Sequence, residues 1–367
     1  SQPPFFFSPS STMAKANRFL ALLYVFSLVF LVMGTRVAGS GHGKQRPEPH
    51  YVNKLFVFGD SYVDTGNLGR ALGRLARSWF DPYGMTFPKK PTGRFSDGRL
   101  LTDYVASFLR IRSPIPYRIR KFGQKLLPYG MNFAVAGSGI FDTGNFQSNL
   151  TAQIDKFQAQ IDDGVFSRHD LKPSAALIAV SGNDYEFLSE QDPDFLHHLH
   201  RFMRRLFAQL KVDLKRLSHI GVPKVIVTNL HPIGCTPYYT RPTNYTGCYA
   251  NVSSAVAEHN RRVDELVREL GGGSDTTFLS LDVNTAFSNV LRRAKGPKEM
   301  KHPLVPCCVS SSNTTECGEI DAEGNRLYGV CHRPEEHFYW DSVHPTQAGW
   351  AAAFEFLRPS LREFLQL

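Results

Sequence analysis

Five short runs of apolar residues recur along the chain, each of them six to eight residues long. They are rich in Val, Ile, Phe and Leu and are apolar at both odd and even positions, which is typical of strands covered by helices on both faces of a sheet. The runs are 54–59, 131–137, 175–182, 224–230 and 276–282. They predict five parallel strands.

Between these runs the apolar positions recur with the period of a helix. The amphipathic segments are 99–110, 150–163, 194–219, 250–270 and 346–366. The alternation of strands and helices predicts an α/β domain with a central parallel sheet. Proline- and glycine-rich stretches at 81–98 and 232–248, together with 295–340, predict long loops near the strand ends. Because no break in composition and no internal repeat interrupts the pattern, we expect one domain over 40–367.

The N-terminal segment has the layout of a secretory signal sequence. Residues 1–12 precede Met13 and are interpreted as a non-native or untranslated leader. A short basic region then precedes fifteen apolar or small residues at 19–33. An uncleaved anchor helix is the alternative, but a spanning helix needs roughly 20 such residues. We therefore expect a signal peptide at 13–39, cleaved near Gly39, and no membrane span in the mature chain.

The net charge of the chain is +9. A basic surface on a secreted protein fits a polyanionic surrounding such as wall polysaccharide. A surface that only keeps the protein soluble explains the charge equally well. Nucleic acid is a poor candidate partner, because a secreted chain rarely meets it.

Six cysteines lie in the second half of the chain, an even number that predicts three disulfides in an oxidising compartment. They are Cys235, Cys248, Cys307, Cys308, Cys317 and Cys331. Cys235 and Cys248 form the natural local pair, whereas the pairing of the other four stays open. A zinc site is the alternative, but the ligand spacing lacks any CxxC pair.

Four N-glycosylation sequons accompany the predicted signal peptide and indicate surface loops in a secreted protein. They begin at Asn149, Asn244, Asn251 and Asn313.

Three polar or small residues follow successive predicted strands. Ser61 follows the first strand, Gly137 ends the second run, and Asn183 follows the third. Since the carboxyl ends of parallel strands share one edge of a sheet and bind ligands there, we expect these residues to converge. Their available donors, two backbone N–H groups and a side-chain amide, suit the stabilisation of an oxyanion.

Asp341 and His344 stand three positions apart, far along the chain from Ser61. A serine hydroxyl needs a base to remove its proton before it can attack an ester, and His344 is the candidate base. Asp341 is the candidate group that orients the imidazole and stabilises its charged form. Nucleophilic acyl transfer is therefore the chemistry that these residues indicate together.

Each of these residues also has a structural interpretation. Ser61 can cap a helix, Gly137 can serve as a turn residue, and Asn183 can belong to an ordinary turn or cap a helix. Asp341 can cap a turn, and His344 can be a packed histidine. The joint pattern favours the chemical interpretation.

Four strings occur in order and resemble the sequence blocks of the GDSL (SGNH-hydrolase) esterase/lipase family, most of all its plant secreted branch. The strings are FGDS (58–61), NFAVAGSG (132–139), VSGND (180–184) and WDSVHPT (340–346). Supporting likenesses are DTGN (64–67), TGRFSDG (92–98) and HPIGC (231–235). The resemblance covers residues 52–366. The absent pentapeptide GxSxG argues against an α/β-hydrolase nucleophile elbow.

The resemblance implies a flavodoxin-like three-layer α/β/α sandwich. It implies Ser61 as nucleophile, His344 as base and Asp341 as its partner, with Ser61, Gly137 and Asn183 forming the oxyanion hole. It implies no cofactor and no metal. Tyr62 stands where the family name has leucine, a departure that bears on specificity rather than on the reaction.

Branch members that the chain resembles include enzymes that remove acetyl groups from xylan. We therefore expect a monomeric, secreted esterase acting on acetylated wall polysaccharide, located in the wall or the Golgi. Hydrolysis of lipid or small-molecule esters is the first alternative. A non-catalytic polysaccharide-binding protein is the second. Aromatic residues in the predicted loops, among them Tyr83, Tyr238 and Tyr239, can stack on sugars or simply pack.

Overall fold

The computed structural model describes residues 51–144, 148–272, 276–292, 300–312 and 314–367. The leader, the signal segment and the sequon at Asn313 lie outside the described residues. The described part belongs to a unit that spans Pro49–Leu367.

In the part of the chain that the structure describes, six parallel strands form the central sheet. They are β1 (Lys54–Gly59), β2 (Ile115–Pro116), β3 (Gly130–Asn132), β4 (Ser174–Ala179), β5 (Lys224–Thr228) and β6 (Thr277–Leu281). The spatial order is β2-β3-β1-β4-β5-β6. All five predicted strands are confirmed, although β3 is shorter than its apolar run. The additional strand, β2, is too short to leave a pattern in the sequence.

Helices cover both faces of this sheet. They are α1 (Leu101–Phe108), α2 (Leu150–Asp162), α3 (Arg168–Leu171), α4 (Asn183–Gln191), α5 (Phe195–Ile220), α6 (Pro237–Thr240), α7 (Ser253–Gly271), α8 (Val283–Arg292) and α9 (Gln347–Leu365). Segments of 3₁₀ helix, the first of them kinked at Gly73 and Ala76, lie at Arg70–Trp79, Tyr117–Ile119, Gln124–Tyr129, Ile233–Cys235, Arg241–Thr243, Ala250–Val252 and Pro334–Glu336. Helices α1, α8 and α9 share one apolar core, and α2, α5 and α7 share the other. The predicted three-layer sandwich is thus confirmed.

Strand β1 lies inside the sheet and is buried on both faces. Leu55 and Val57 point into the core on the α9 side, whereas Phe56 and Phe58 point into the core on the α2 side. Two-sided burial explains why the run is apolar at every position. Gly59 ends the strand with a φ of +127°, and a Cβ there would lie 1.8 Å from the carbonyl oxygen of Ala179.

Three disulfides pair all six cysteines. They are Cys235–Cys248, Cys307–Cys331 and Cys308–Cys317. The local pair expected from the sequence is confirmed. The other two brace a small antiparallel hairpin of β7 (Cys308–Ser310) and β8 (Tyr328–Val330). The N–H groups of Cys307 and Cys308 donate to the carbonyls of Tyr339 and Trp340, so the hairpin supports the segment that leads to Asp341.

The three described sequons differ in their surroundings. Asn244 and Asn251 are exposed. Asn149 is half-buried and caps α2, where its Oδ1 accepts from the N–H of Ala152 at 2.8 Å. Glycosylation at these positions stays a prediction. Within the described ranges, the structure contains no helix with the length and apolar character needed to cross a membrane.

His259 gives the stability of the folded domain a defined pH dependence. Its Nδ1 lies 2.7 Å from the hydroxyl of Tyr185 in a buried contact between α7 and α4. Burial lowers the pKa of His259 from 6.5 to about 3, so the unfolded chain binds a proton at this position between those pH values while the folded protein does not. This group therefore lowers the free energy of unfolding as pH falls below 6.5.

As pH is lowered from about 7 to about 4, the free energy of unfolding should fall by about 3 kcal/mol less in His259→Gln than in the wild type, because glutamine does not titrate. Urea unfolding followed by circular dichroism at the two pH values measures the difference. His219→Gln, at the exposed end of α5, is the matched control. Equal losses of stability in the wild type and His259→Gln would contradict the expectation.

Candidate active site

The structure brings all five sequence-predicted site residues to one rim of the sheet. Ser61 follows β1, Gly137 lies in the loop after β3, and Asn183 begins α4 just after β4. These three strands are neighbours, with β1 between the other two. All three residues line one cavity, which His344 also lines. The parallel register thus assembles the rim that the sequence predicts.

Ser61, His344 and Asp341 form a continuous chain of hydrogen bonds. The Oγ of Ser61 lies 2.8 Å from Nε2 of His344. Nδ1 of His344 lies 2.8 Å and 2.9 Å from the two carboxylate oxygens of Asp341. A proton on Nδ1 leaves Nε2 as an acceptor for the Ser61 hydroxyl, which is the arrangement that activates a serine.

The loop from Asp341 to His344 holds its own geometry. The Asp341 carboxylate accepts the N–H groups of Val343 at 3.0 Å and His344 at 2.8 Å. Burial alone would raise the pKa of Asp341, but the adjacent His344 imidazole and these hydrogen bonds lower it to about 2. The carboxylate is therefore ionised at neutral pH and lies where its charge favours a protonated His344.

Tyr83 adds a further donor to Asp341. Its hydroxyl donates to Oδ2 of Asp341 at 2.9 Å. Burial, together with the nearby Asp341 charge, raises the pKa of Tyr83, so the hydroxyl keeps its proton. Tyr83 is buried, and its position excludes the sugar-stacking role considered for it from the sequence.

The TGRFSDG string packs against the histidine loop. The ring of Phe95 stacks on the His344 imidazole, with 4.8 Å between the ring centroids. Ser96 Oγ donates to the carbonyl of Pro345 at 3.0 Å, and Asp97 accepts the N–H of Gln347 at 2.7 Å. These contacts hold the backbone on the C-terminal side of His344, and the stacked ring limits rotation of the imidazole.

Asp64, in the DTGN string, links the Ser61 loop to the Gly137 loop. Its carboxylate accepts the N–H groups of Gly66, Asn67 and Leu68. The same carboxylate accepts the N–H of Ala136 at 2.9 Å. Since Ala136 precedes Gly137, Asp64 fixes the backbone that presents the Gly137 N–H.

The candidate oxyanion donors differ in their present hydrogen bonding. Among the described residues, no acceptor is bonded to the backbone N–H of Ser61 or Gly137. The Asn183 amide instead donates to the Ser138 carbonyl at 2.9 Å and to Asp60 Oδ2 at 3.2 Å. Asp60 also accepts from the backbone N–H groups of Tyr62 and Ser181. Asp60 therefore keeps other hydrogen-bond donors if the 3.2 Å bond from Asn183 is broken.

A cavity of about 410 Å³ opens beside Ser61. Much of its wall is apolar or aromatic and comes from helices outside the rim, namely from Phe195, Leu196, Leu199, Met203, Tyr238 and Val256. Among the described residues, four carboxylates also line it, those of Asp60, Glu186, Glu190 and Glu316. Its volume falls in the range of small-molecule pockets.

No group of three or more His, Cys, Asp or Glu side chains is placed to hold a metal ion in the part of the chain that the structure describes. The arrangement around Ser61 consists of a hydroxyl, an imidazole, carboxylates and backbone donors. These groups can transfer protons and stabilise an oxyanion.

Sequence reasoning missed the residues that support the five predicted ones. From the sequence, the DTGN and TGRFSDG strings support only the family resemblance, although they contain Asp64 and Phe95. Tyr83 lies 258 residues from Asp341, and no local pattern connects the two. The two strings, which lie in loops near the strand ends, were the available signal, because loops often carry functional residues.

Comparison with known proteins identifies the family. The model of the family GDSL-like Lipase/Acylhydrolase matches residues 55–357. A GDSL esterase/lipase of Arabidopsis thaliana is 40% identical over 348 residues, which cover 92% of this chain and 95% of that protein. A second from the same plant is 38% identical, covering 94% and 98% of the two chains. GDSL esterase/lipase 5 of Arabidopsis thaliana is 28% identical, covering 92% and 90%. With the fold and the rim geometry, these matches show that the chain belongs to the GDSL-like lipase/acylhydrolase family.

Proposed function

We propose that Ser61, His344 and Asp341 hydrolyse carboxylic esters through an acyl-enzyme intermediate. Membership of the family makes the chain a hydrolase that acts on esters. The observation that carries the proposal is the unbroken set of hydrogen bonds from Ser61 Oγ to the Asp341 carboxylate.

The Ser61 oxygen attacks the ester carbonyl carbon while its proton passes to Nε2 of His344. Asp341 stabilises the resulting imidazolium. The tetrahedral intermediate then expels the alcohol, which takes the proton from His344 and leaves the acyl group on Ser61. Water attacks this acyl-enzyme with His344 again acting as base, which releases the acid and restores Ser61.

The oxyanion of each tetrahedral intermediate needs preorganised donors. The N–H groups of Ser61 and Gly137 are the first two in this proposal. Asn183 supplies the third by exchanging its 3.2 Å bond with Asp60 for the substrate oxygen. Gly137 has a φ of +83° and no side chain, so substrate can approach its backbone closely.

We propose esters of apolar acyl chains longer than acetyl as the preferred substrates. The resemblance to xylan deacetylases predicts an acetyl ester instead. Helix α5 favours longer acyl chains, because Phe195, Leu199 and Met203 recur at helical spacing along the cavity wall. Leu196, which also lines the cavity, is 75% exposed, as expected for an apolar cavity mouth.

Deacetylation of a wall polysaccharide such as xylan is the second candidate. Tyr238 lines the cavity and is 59% exposed, so its ring is available to a sugar face. The three disulfides suit the oxidising secretory pathway in which such a substrate occurs.

A panel of p-nitrophenyl acetate, butyrate and octanoate, together with acetylated xylan, tests the substrate class. Each buried methylene contributes about 0.8 kcal/mol, so we expect kcat/KM for butyrate to exceed that for acetate by about tenfold. Leu199→Phe narrows the cavity and is expected to lower kcat/KM for octanoate but not for acetate. Val212→Phe, an exposed position on the same helix, is the matched control. Preference for the acetyl ester and acetate release from xylan would favour the second candidate instead.

A further inference from the structure

Tyr62, the departure from the family's leucine, contacts the histidine loop directly. Its hydroxyl donates to the backbone carbonyl of Val343 at 2.8 Å. Val343 immediately precedes His344, and among the described residues Tyr62 is the only hydrogen-bond donor to this carbonyl. Tyr62 itself is 5% exposed and packs edge-on against Trp350 of α9.

His231 stands on the other side of the Tyr62 hydroxyl, with its Nε2 3.1 Å from the phenolic oxygen. A phenol has one proton, and Tyr62 gives it to Val343 at the shorter distance. His231 must therefore be the donor, with its proton on Nε2. Its Nδ1 is buried without a hydrogen-bond partner among the described residues. The opposite tautomer would bury an unpaired N–H and leave the Val343 carbonyl without its donor, which costs more.

The backbone next to His231 is anchored to the framework of the domain. Asn260 of α7 accepts the N–H of Leu230 at 2.8 Å and donates to its carbonyl at 2.9 Å. Asn284 of α8 donates to the same carbonyl at 2.9 Å. The residue that carries the imidazole is thus fixed by helices on both faces of the sheet.

The protonation states agree with this arrangement. Burial, reinforced by the nearby His344, lowers the pKa of His231 from 6.5 to about 3. Burial raises the pKa of Tyr62, so its hydroxyl stays protonated. His231 thus remains neutral at neutral pH and puts no positive charge beside the imidazolium that forms on His344.

We propose that Tyr62 and His231 are positioning residues that hold the Val343 carbonyl and, through it, the His344 imidazole in line with Ser61. Asp341 restrains the N–H groups of this loop, and Tyr62 restrains the carbonyl that faces the opposite direction. His231 fixes the tyrosine hydroxyl. The inference rests on the role proposed for His344 and adds two residues, Tyr62 and His231, that hold its backbone in place.

Tyr62→Phe removes only the hydroxyl and is expected to lower kcat by about tenfold with KM unchanged, since the carbonyl loses its one donor while the cavity wall keeps its ring. Tyr339→Phe is the matched control, because Tyr339 is buried on the same loop and its hydroxyl has no partner among the described residues. Labelling of Ser61 by a fluorophosphonate should slow in parallel with kcat in Tyr62→Phe and stay at the wild-type rate in Tyr339→Phe.

Variants of His231 test whether its hydrogen bond to the Tyr62 hydroxyl matters for the reaction. Glutamine places an amide N–H close to the position of the imidazole Nε2, so His231→Gln should keep most of the activity, whereas His231→Leu should lower kcat. In Tyr62→Phe, adding His231→Leu should cause no further loss of kcat, because the imidazole acts through the tyrosine hydroxyl.

Wild-type kcat in Tyr62→Phe would overturn the proposal, as would equal losses of kcat in Tyr62→Phe and Tyr339→Phe. Equal activity of His231→Gln and His231→Leu would also overturn the role of His231. This comparison remains informative even if Tyr62→Phe does not fold. A Ser61→Ala variant assayed alongside separates the two proposals. Ester turnover by Ser61→Ala would refute the catalytic role of Ser61. Loss of turnover in Ser61→Ala, together with wild-type kcat in Tyr62→Phe, would refute only the role of Tyr62 and His231.

Discussion

Ser61→Ala is expected to lower kcat for p-nitrophenyl butyrate by roughly 10⁴-fold or more, because the variant lacks the oxygen that carries the acyl group in the proposed mechanism. The substitution deletes one oxygen at the end of β1 and leaves the strand register intact. Far-ultraviolet circular dichroism and the melting temperature should therefore match those of the wild type. Initial rates with equal amounts of folded protein measure the effect.

Ser107→Ala, on the exposed side of α1, is the control for the loss of a serine hydroxyl and should keep full activity. A fluorophosphonate should label the wild type and Ser107→Ala but not Ser61→Ala, as intact-mass measurement will report. Equal hydrolysis by Ser61→Ala and the wild type would exclude Ser61 as the nucleophile. The non-catalytic alternative would be favoured if the wild type hydrolysed no ester and if the wild type and Ser61→Ala bound polysaccharide equally well.

Asp341→Asn is expected to lower kcat by about 10³- to 10⁴-fold. The Asp341 carboxylate now accepts from Tyr83, from two backbone N–H groups and from His344 Nδ1. An asparagine has one acceptor oxygen, and its amide protons must face at least one of these donors. The imidazole then shifts its proton to Nε2, where it blocks acceptance of the Ser61 proton.

Asp162→Asn, at the exposed end of α2, is the matched control for loss of a carboxylate. Steady-state kinetics on p-nitrophenyl butyrate should place the effect of Asp341→Asn in kcat rather than in KM, since the carboxylate stabilises charge that arises only during the reaction. If the kcat of Asp341→Asn stayed within a few-fold of the wild-type value, the proposed role of Asp341 in orienting the His344 imidazole would be wrong.

The layers of the fold and the convergence of the candidate site residues at one edge of the sheet were predictable because they follow from local patterns. A strand buried on both faces must be apolar throughout, as Leu55 to Phe58 are, and parallel strands must end at the same edge. Ser61, Gly137 and Asn183 follow from these two facts. Helix α4 escaped prediction because NDYEFLSEQ (183–191) has mostly polar residues and no regular apolar stripe.

The supporting contacts were not predictable because they join segments that are distant in sequence. Nothing in the composition of the loop around Tyr83 indicates that its hydroxyl meets Asp341. The role of Tyr62 depends equally on Val343, 281 positions away, and on His231, 169 positions away. Such pairs are fixed by tertiary packing and become visible only when the sheet has brought the loops together.

The separation of 283 residues between Ser61 and His344 orders events during synthesis. A domain generally folds as a unit, so the part that is synthesised first waits for the part that is synthesised last. A nascent chain exposes its proposed nucleophile early but has no base for it until the segment after the disulfide-braced hairpin has emerged. With the roles proposed above, the growing polypeptide cannot hydrolyse esters until His344 has been synthesised and α9 has joined the apolar core that also contains Leu55 and Val57 of β1.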